Sequence, residues 1–382
     1  HRQLVAKTTL VAASDQCTPL RAPAGGGAGG GVWIVQSEFP GLLDIPTLTR
    51  FLRERLPGDG DAPLAISRHE AGYSNETFFI SRGARQWVLR RPPRGELLPT
   101  AHDVLREFRV LEALTGTVAR IPQPVIACDD EAVIGAPFYL MERVDGVVIR
   151  DELPDLFEPV EQRRRIGGEM VDALVELHAV DWRMPALAAI GRPAGYLERQ
   201  LRRWSGQLDL TMTRTRPLPG LAEVTEWLRR NLPEQSETAV VHGDYKLDNV
   251  IFSPTAPTEM LAIFDWEMAT LGDPLTDLGW LMAYWGDTGE PPEQMLPGGN
   301  VVTMQPGFPL REEMVAMYEE RSKRSMRNFP FYYTLALWKL AIIIEGLYMH
   351  FLEGTAANPR AGEFEWRVPL LIDRIHRDMA TF

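Results

Sequence analysis

Apolar positions change their spacing partway along the chain. Leu48, Phe51, Leu52 and Leu56 repeat at helical intervals and stop at Pro57-Gly58, which predicts one short helix. Beyond it the spacing drops towards two: Ala65–Glu70, Thr77–Ser81 and Gln86–Arg90 read as strands, with turns at Gly72 and at Arg82-Gly83. Val104, Leu105, Phe108, Leu111 and Leu114 then give a helical repeat across Ala101–Leu114, before further strand-like runs at Val125–Ala127 and Phe138–Arg143. This order predicts a small antiparallel sheet carrying one helix.

After Val144 the helical period dominates. Long helical patterns cover Arg163–Val180, Gly195–Trp204, Leu221–Asn231, Arg311–Lys323 and Tyr332–Leu352. One stretch interrupts them, Ala239–Asp265, where short apolar strands flank polar loops. The expected architecture is therefore α+β and bilobal. A Gly-rich leader occupies 1–35, a β-rich lobe 36–144 and a larger helical lobe 145–382. The leader contains GGGAGGG at Gly25–Gly31, a sequence too costly in entropy to order without a partner. The 286–330 region, with Pro291-Pro292 and Pro297-Gly298-Gly299, reads either as a lid or as an unstructured insertion.

Composition narrows the function classes. The 382 residues carry a formal charge of −12, the wrong sign for a protein that neutralises nucleic-acid phosphates. Two cysteines, Cys17 and Cys128, build neither a disulfide framework nor a cysteine metal site, which fits a reducing cytoplasm. The first thirty residues do not read as a secretion signal, since Lys7 and Asp15 break the apolar stretch. Leu335–Leu352 is apolar but contains Lys339, Glu345 and His350, so a buried helix is expected rather than a membrane span. Nothing in the sequence sets an oligomeric state.

The chemistry lies in VVHGDYKLDNVIF (Val240–Phe252) and LAIFDWEMATLGDPLTDLGWL (Leu261–Leu281). Each places polar residues at the end of an apolar strand. Phosphoryl transfer needs an oriented hydroxyl, a fixed triphosphate and neutralised charge, with little covalent help from the protein. Asp244 would accept or orient the hydroxyl proton, and Asn249 and Asp265 would ligate Mg²⁺ through hard oxygen donors. Lys246 would reach the γ-phosphate.

HGDYKLDN (His242–Asn249) resembles the H-G-D-x-x-x-x-N catalytic loop of the aminoglycoside phosphotransferase family, a branch of the protein-kinase-like fold. Asp265 in FDWE occupies the place of the metal-binding aspartate in the protein kinases' D-F-G. VLRRPP (Val88–Pro93), REF (Arg106–Phe108) and GDPLTDLGW (Gly272–Trp280) are similar to the kinase-like domain attached to some acyl-CoA dehydrogenases. The resemblance spans roughly residues 60–350. It implies ATP and Mg²⁺ as cofactors and a small molecule bearing a hydroxyl as substrate.

The same resemblance carries candidates into the smaller lobe. Gly72, Ser74 and Asn75 would approach the nucleotide phosphates, or else form a plain hairpin. Arg90 stands where protein kinases carry a phosphate-holding lysine, and either Arg90 or Arg91 would serve; Glu107 would pair with that cation. Backbone groups of Met141, Glu142 and Arg143 would meet adenine. His242 and Asp277 are expected to brace the loop, and His178 to be a core or helix-end histidine.

Three function classes remain. A small-molecule kinase acting on an aminoglycoside-like compound, a hydroxy acid or a hydroxyacyl thioester leads. A protein kinase fits poorly, because Gly243 replaces the loop arginine, FDWE replaces D-F-G and no closing A-P-E follows. A non-catalytic nucleotide-binding module is the alternative, opposed by the joint presence of Asp244, Lys246, Asn249 and Asp265.

Overall fold

Alternation does most of the work in the first part of the fold. Strands β1 (Leu64–His69), β2 (Glu76–Arg82), β3 (Arg85–Arg91), β4 (Pro124–Cys128) and β5 (Phe138–Glu142) form one antiparallel sheet in the order β1-β2-β3-β5-β4. The structure, a computed structural model, describes residues 39, 41–58, 62–69, 75–94, 103–234, 237–291, 301–356 and 360–380. The glycine leader and the candidates Gly72 and Ser74 lie outside the described residues.

Each face of the sheet meets a different partner, as a period of two requires. Phe78, Ile80, Leu89, Phe138 and Leu140 bury against α1 (Ile45–Arg55) through its Leu48 and Leu52. Asp44 caps that helix by accepting from the Thr47 amide at 3.0 Å. Val88, Tyr139 and Met141 point the other way, towards α2 (Val104–Leu114) and the main core. Asp103 caps α2, accepting from the Arg106 amide at 2.9 Å. That capped start is later than the Ala101 expected from periodicity.

The remaining chain is mainly helical: α3 (Val160–Ala179), α4 (Pro185–Ala188), α5 (Tyr196–Met212), α6 (Pro219–Arg230), α7 (Leu275–Tyr284), α8 (Arg311–Ser322), α9 (Phe329–Leu352) and α10 (Phe364–Met379). Between α6 and α7 two short antiparallel pairs form, β6 (Ala239–Val241) with β9 (Thr270–Gly272) and β7 (Val250–Phe252) with β8 (Met260–Ile263). They hold the two motif loops side by side.

α9 is long and apolar enough to cross a membrane, yet most of it is buried against α7 and α10. Its fully buried Glu345 pairs with Arg216 at 3.0 Å. This is the buried helix that its internal charges predicted. In the irregular 286–330 region, the described parts are structured: Arg311 at the start of α8 grips Glu290 at 2.6 Å and Asp287 at 3.2 Å. An unstructured insertion is thereby excluded for 286–291 and 301–330; the stretch between them lies outside the described residues.

Candidate active site

The loop after β6 is shaped by backbone, then fixed by one buried carboxylate. Gly243 adopts φ +84, and a Cβ there would lie 2.8 Å from the Met268 carbonyl oxygen, so only glycine fits. Asp277 on α7, 1% exposed, accepts from the His242 amide at 2.6 Å and the Gly243 amide at 2.8 Å. His178 Nε2 is 3.3 Å from the same carboxylate, and its Nδ1 is 2.7 Å from the Tyr318 hydroxyl. Burial pushes the His178 pKa down, so the neutral ring donates to Asp277 and accepts from Tyr318. Burial opposes the Asp277 carboxylate, but its bonds from His178 and Gly243 outweigh that and hold its pKa below the ordinary value. His242 is itself fully buried, with Nε2 2.8 Å from the Phe264 carbonyl.

Asp244 follows from this scaffold. Its Oδ1 accepts from Trp280 Nε1 at 2.8 Å, and its Oδ2 accepts from Asn249 Nδ2 at 2.9 Å. Lys246 Nζ stands 3.1 Å from Oδ2. Burial works against ionisation here too, yet Lys246, His242 and the Trp280 hydrogen bond keep the Asp244 pKa below its usual value. Because Asn249 turns its amide nitrogen towards Asp244, its side-chain oxygen is left for another partner.

Asp265 reaches the same place from the neighbouring strand. The Phe264 amide donates to the Asn249 carbonyl at 2.8 Å, which docks the two motif loops together. Asp265 then takes a left-handed conformation, φ +66 and ψ +60, uncommon for a residue with a side chain. Arg90 Nη2 meets its Oδ1 at 3.2 Å, while Arg90 Nη1 meets Glu107 on α2 at 2.6 Å. Sequence had left Arg90 and Arg91 open. Arg91 faces the opposite side and donates to the carbonyls of Leu42 and Ile134, so Arg90 alone faces Asp265.

Acidic groups outnumber cations around Arg90. Glu107 is fully buried, and burial raises its pKa despite Arg90. Glu267 is pushed up to about 7 by burial and by the nearby Asp265 and Glu107. Asn75 donates to Glu267 at 3.2 Å, which bridges the sheet to the Asp265 loop; its own side-chain oxygen is buried without a partner among the described residues. Arg90 Nε is likewise unpaired. Arg106 on α2 donates to the carbonyls of Glu267, Ala269 and Ile190 at 2.9, 2.5 and 3.3 Å.

The adenine-side residues are less open than expected. The Glu142 amide donates to Gln123 and the Arg143 amide to Gln86, so neither is available to a purine. Met141 pairs with Val88 and Pro124 inside the sheet. The Arg143 guanidinium lies over the Phe79 ring and pairs with Asp145 at 2.9 Å. Of the remaining candidates, Asp244, Lys246, Asn249, Asp265, Arg90, Glu107 and Asn75 all reach the region between the sheet and the helical part. A cavity of about 880 Å³, lined by residues including His178, Trp182, Arg183, Glu237 and Arg324, shares no residue with this set.

Three residues at the site had no role assigned from sequence. Glu267 adjoins the Asp265 motif and its charge was visible, but its field depends on Glu107, far away in the chain. Trp280 and Arg106, which stand in the similar motifs GDPLTDLGW and REF, act across long separations whose partners one sequence does not reveal.

The chain is similar to known proteins in sequence and in fold. A family model described as the phosphotransferase enzyme family, APH, matches residues 65–299. A crystal structure of a provisionally named aminoglycoside phosphotransferase from Ralstonia eutropha superposes with a TM-score of 0.74 at 30% identity, covering 88% of this chain and 98% of its own. Rattus norvegicus acyl-CoA dehydrogenase family member 11 is 36% identical over 83% of this chain, which spans only 41% of that longer protein. Viomycin phosphotransferase of Streptomyces vinaceus is 27% identical over 64% of this chain and 80% of its own length.

Proposed function

The chain belongs to the phosphotransferase enzyme family, and on that premise we propose that it moves the γ-phosphate of ATP to a hydroxyl group of a small molecule. The observation that carries this reading is the meeting of Asp244, Asn249 and Asp265, joined by the Asn249–Asp244 bond of 2.9 Å and the Phe264–Asn249 bond of 2.8 Å.

Asp244 receives the acceptor alcohol. Its low pKa keeps it ionised, which makes it a strong hydrogen-bond acceptor but a weak base. That suits a loose transition state, in which the hydroxyl gives up its proton late. The acceptor oxygen bonds to the γ-phosphorus, the bridge to the β-phosphate breaks, and the hydroxyl proton passes to the Asp244 carboxylate. Lys246, beside Asp244, meets charge on the transferred group. Arg90, held by Glu107, faces the triphosphate from the sheet side.

The donor set fits a divalent cation. Asn249 and Asp265 offer hard oxygens, and the negative charge of Asp265 and Glu107, which adds to burial in raising Glu267, is what such an ion would relieve. Mg²⁺ held there with the phosphates supplies charge neutralisation.

Acceptor candidates follow the relatives. The resemblance to acyl-CoA dehydrogenase family member 11 favours a hydroxy acid or hydroxyacyl thioester, and that to the Ralstonia eutropha structure named for aminoglycosides an aminoglycoside-like compound. Asp244→Asn is the test. Acceptor-dependent ADP release should fall about 10²–10⁴-fold, as expected for loss of a positioned base, with ATP affinity and the unfolding midpoint retained. Undiminished turnover in the folded variant would remove Asp244 from the chemistry.

A further inference from the structure

Lys339 is placed unlike any other cation near Asp244. It lies in the middle of α9 between apolar neighbours, with Nζ 4.1 Å from the centre of the Trp280 ring and 5.4 Å from that of Trp204. Ring faces attract an ammonium, but they satisfy none of its three N–H donors in the way an oxygen does. Lys339 makes no hydrogen bond or ion pair with any described residue. Asp244 accepts from Trp280, Asn249 and Lys246, and not from Lys339. The same Trp280 indole thus touches Lys339 with its face and holds Asp244 with its N–H.

A half-buried ammonium is costly to keep. Burial drives the Lys339 pKa down to about 8, against the pull of Asp244 and Asp277 and with Arg203 and Lys246 adding to the fall. A methionine of similar length would fill the same space at lower cost, so packing alone does not explain a lysine. An oxygen from outside the chain does.

We propose that Lys339 is the specificity-determining residue of the acceptor subsite, donating to a carboxylate or carbonyl oxygen of the alcohol whose hydroxyl meets Asp244. This rests on the phosphotransferase reading and deepens it. The acceptor is then a hydroxy acid or its thioester, which share that oxygen. Polyamine alcohols are disfavoured, because Lys339, Lys246 and Arg203 would repel them.

The test compares wild type, Lys339→Met and Lys339→Arg on four acceptor sets: hydroxy acids with the hydroxyl at successive carbons, their coenzyme A thioesters, diols of equal length, and kanamycin. Acids or thioesters should exceed diols and kanamycin by at least about tenfold in kcat/KM, the discrimination expected of a site built to bond one oxygen. Activity confined to acids identifies a carboxylate partner, and activity on thioesters a carbonyl. Lys339→Met should raise KM for the preferred set at least about tenfold with a smaller change in kcat, and Lys339→Arg should recover part of the loss. The unfolding midpoint of Lys339→Met should be equal to wild type or higher. Preference for diols or kanamycin, an unchanged KM, or a lowered midpoint with parallel loss on all acceptors would overturn the subsite. Wild-type turnover no greater than that of Asp244→Asn on every acceptor would overturn the phosphotransferase reading itself, and the subsite with it.

Discussion

Two buried polar clusters flank the cleft, and they are built on opposite principles. Around Asp277 every group is matched: two loop amides and a neutral histidine meet one carboxylate, and the histidine's second nitrogen meets Tyr318. Around Arg90 the matching is incomplete among the described residues, with Asn75 and Arg90 each holding an unpaired atom and three carboxylates pressing on one guanidinium. A matched network inside a protein stiffens it, whereas an unmatched one stores affinity for something yet to arrive. The first cluster has the make-up of a scaffold, and the proposed function makes the second the nucleotide site.

Substitutions should separate them. Asp277→Ala strands two buried amides and His178, and we expect a loss of about 3–5 kcal/mol of stability, the cost of breaking a buried charged network. Urea titration reads it directly. Turnover should fall with it, because the loop that carries Asp244 loses its anchor. A midpoint near that of wild type would show that the loop is held elsewhere.

Glu107→Gln should behave differently. Gln keeps an oxygen to accept from Arg90 and from the Trp266 amide, and Arg90 keeps Asp265, so the loss of stability should be smaller, on the order of 1–3 kcal/mol. KM for ATP should rise by about tenfold, since Arg90 is held less firmly on the α2 side. The reverse pattern, a collapsed fold with unaltered KM, would make this cluster scaffold as well.

The smallest effect is a proton. Glu267 holds its proton up to about pH 7 in the folded, nucleotide-free protein, above its ordinary 4.5. The folded state then binds more protons than the unfolded chain between those values, so this group lowers stability as pH rises through that window. Mg²⁺ with ATP should pull its pKa back down and release a fraction of a proton near pH 6. Calorimetry in buffers of different ionisation enthalpy measures that fraction; none released would detach Glu267 from the nucleotide site.

Much of this could be read from sequence where the signal is local. The alternating strands emerged within two residues of their edges, and both motif loops were found because each clusters polar groups after an apolar strand. α7 was missed because it is apolar on nearly every side, leaving no period to detect. α10 was missed with Pro369 inside it, a residue that argues against helix. Trp280 reaches Asp244 over 36 positions, and Arg106 reaches Ala269 over 163. Such contacts depend on how helices pack, and propensity carries none of that.

The Arg106 contacts have one more consequence. They fasten α2 to the Glu267–Ala269 segment, and Glu107 adds a bond from the Trp266 amide at 3.1 Å. A helix tied at successive residues cannot swing outward without abandoning all of these partners at once. On the proposed phosphotransferase reading, the pairing of Arg90 with Glu107 is thereby locked to the Asp265 loop rather than free to come and go.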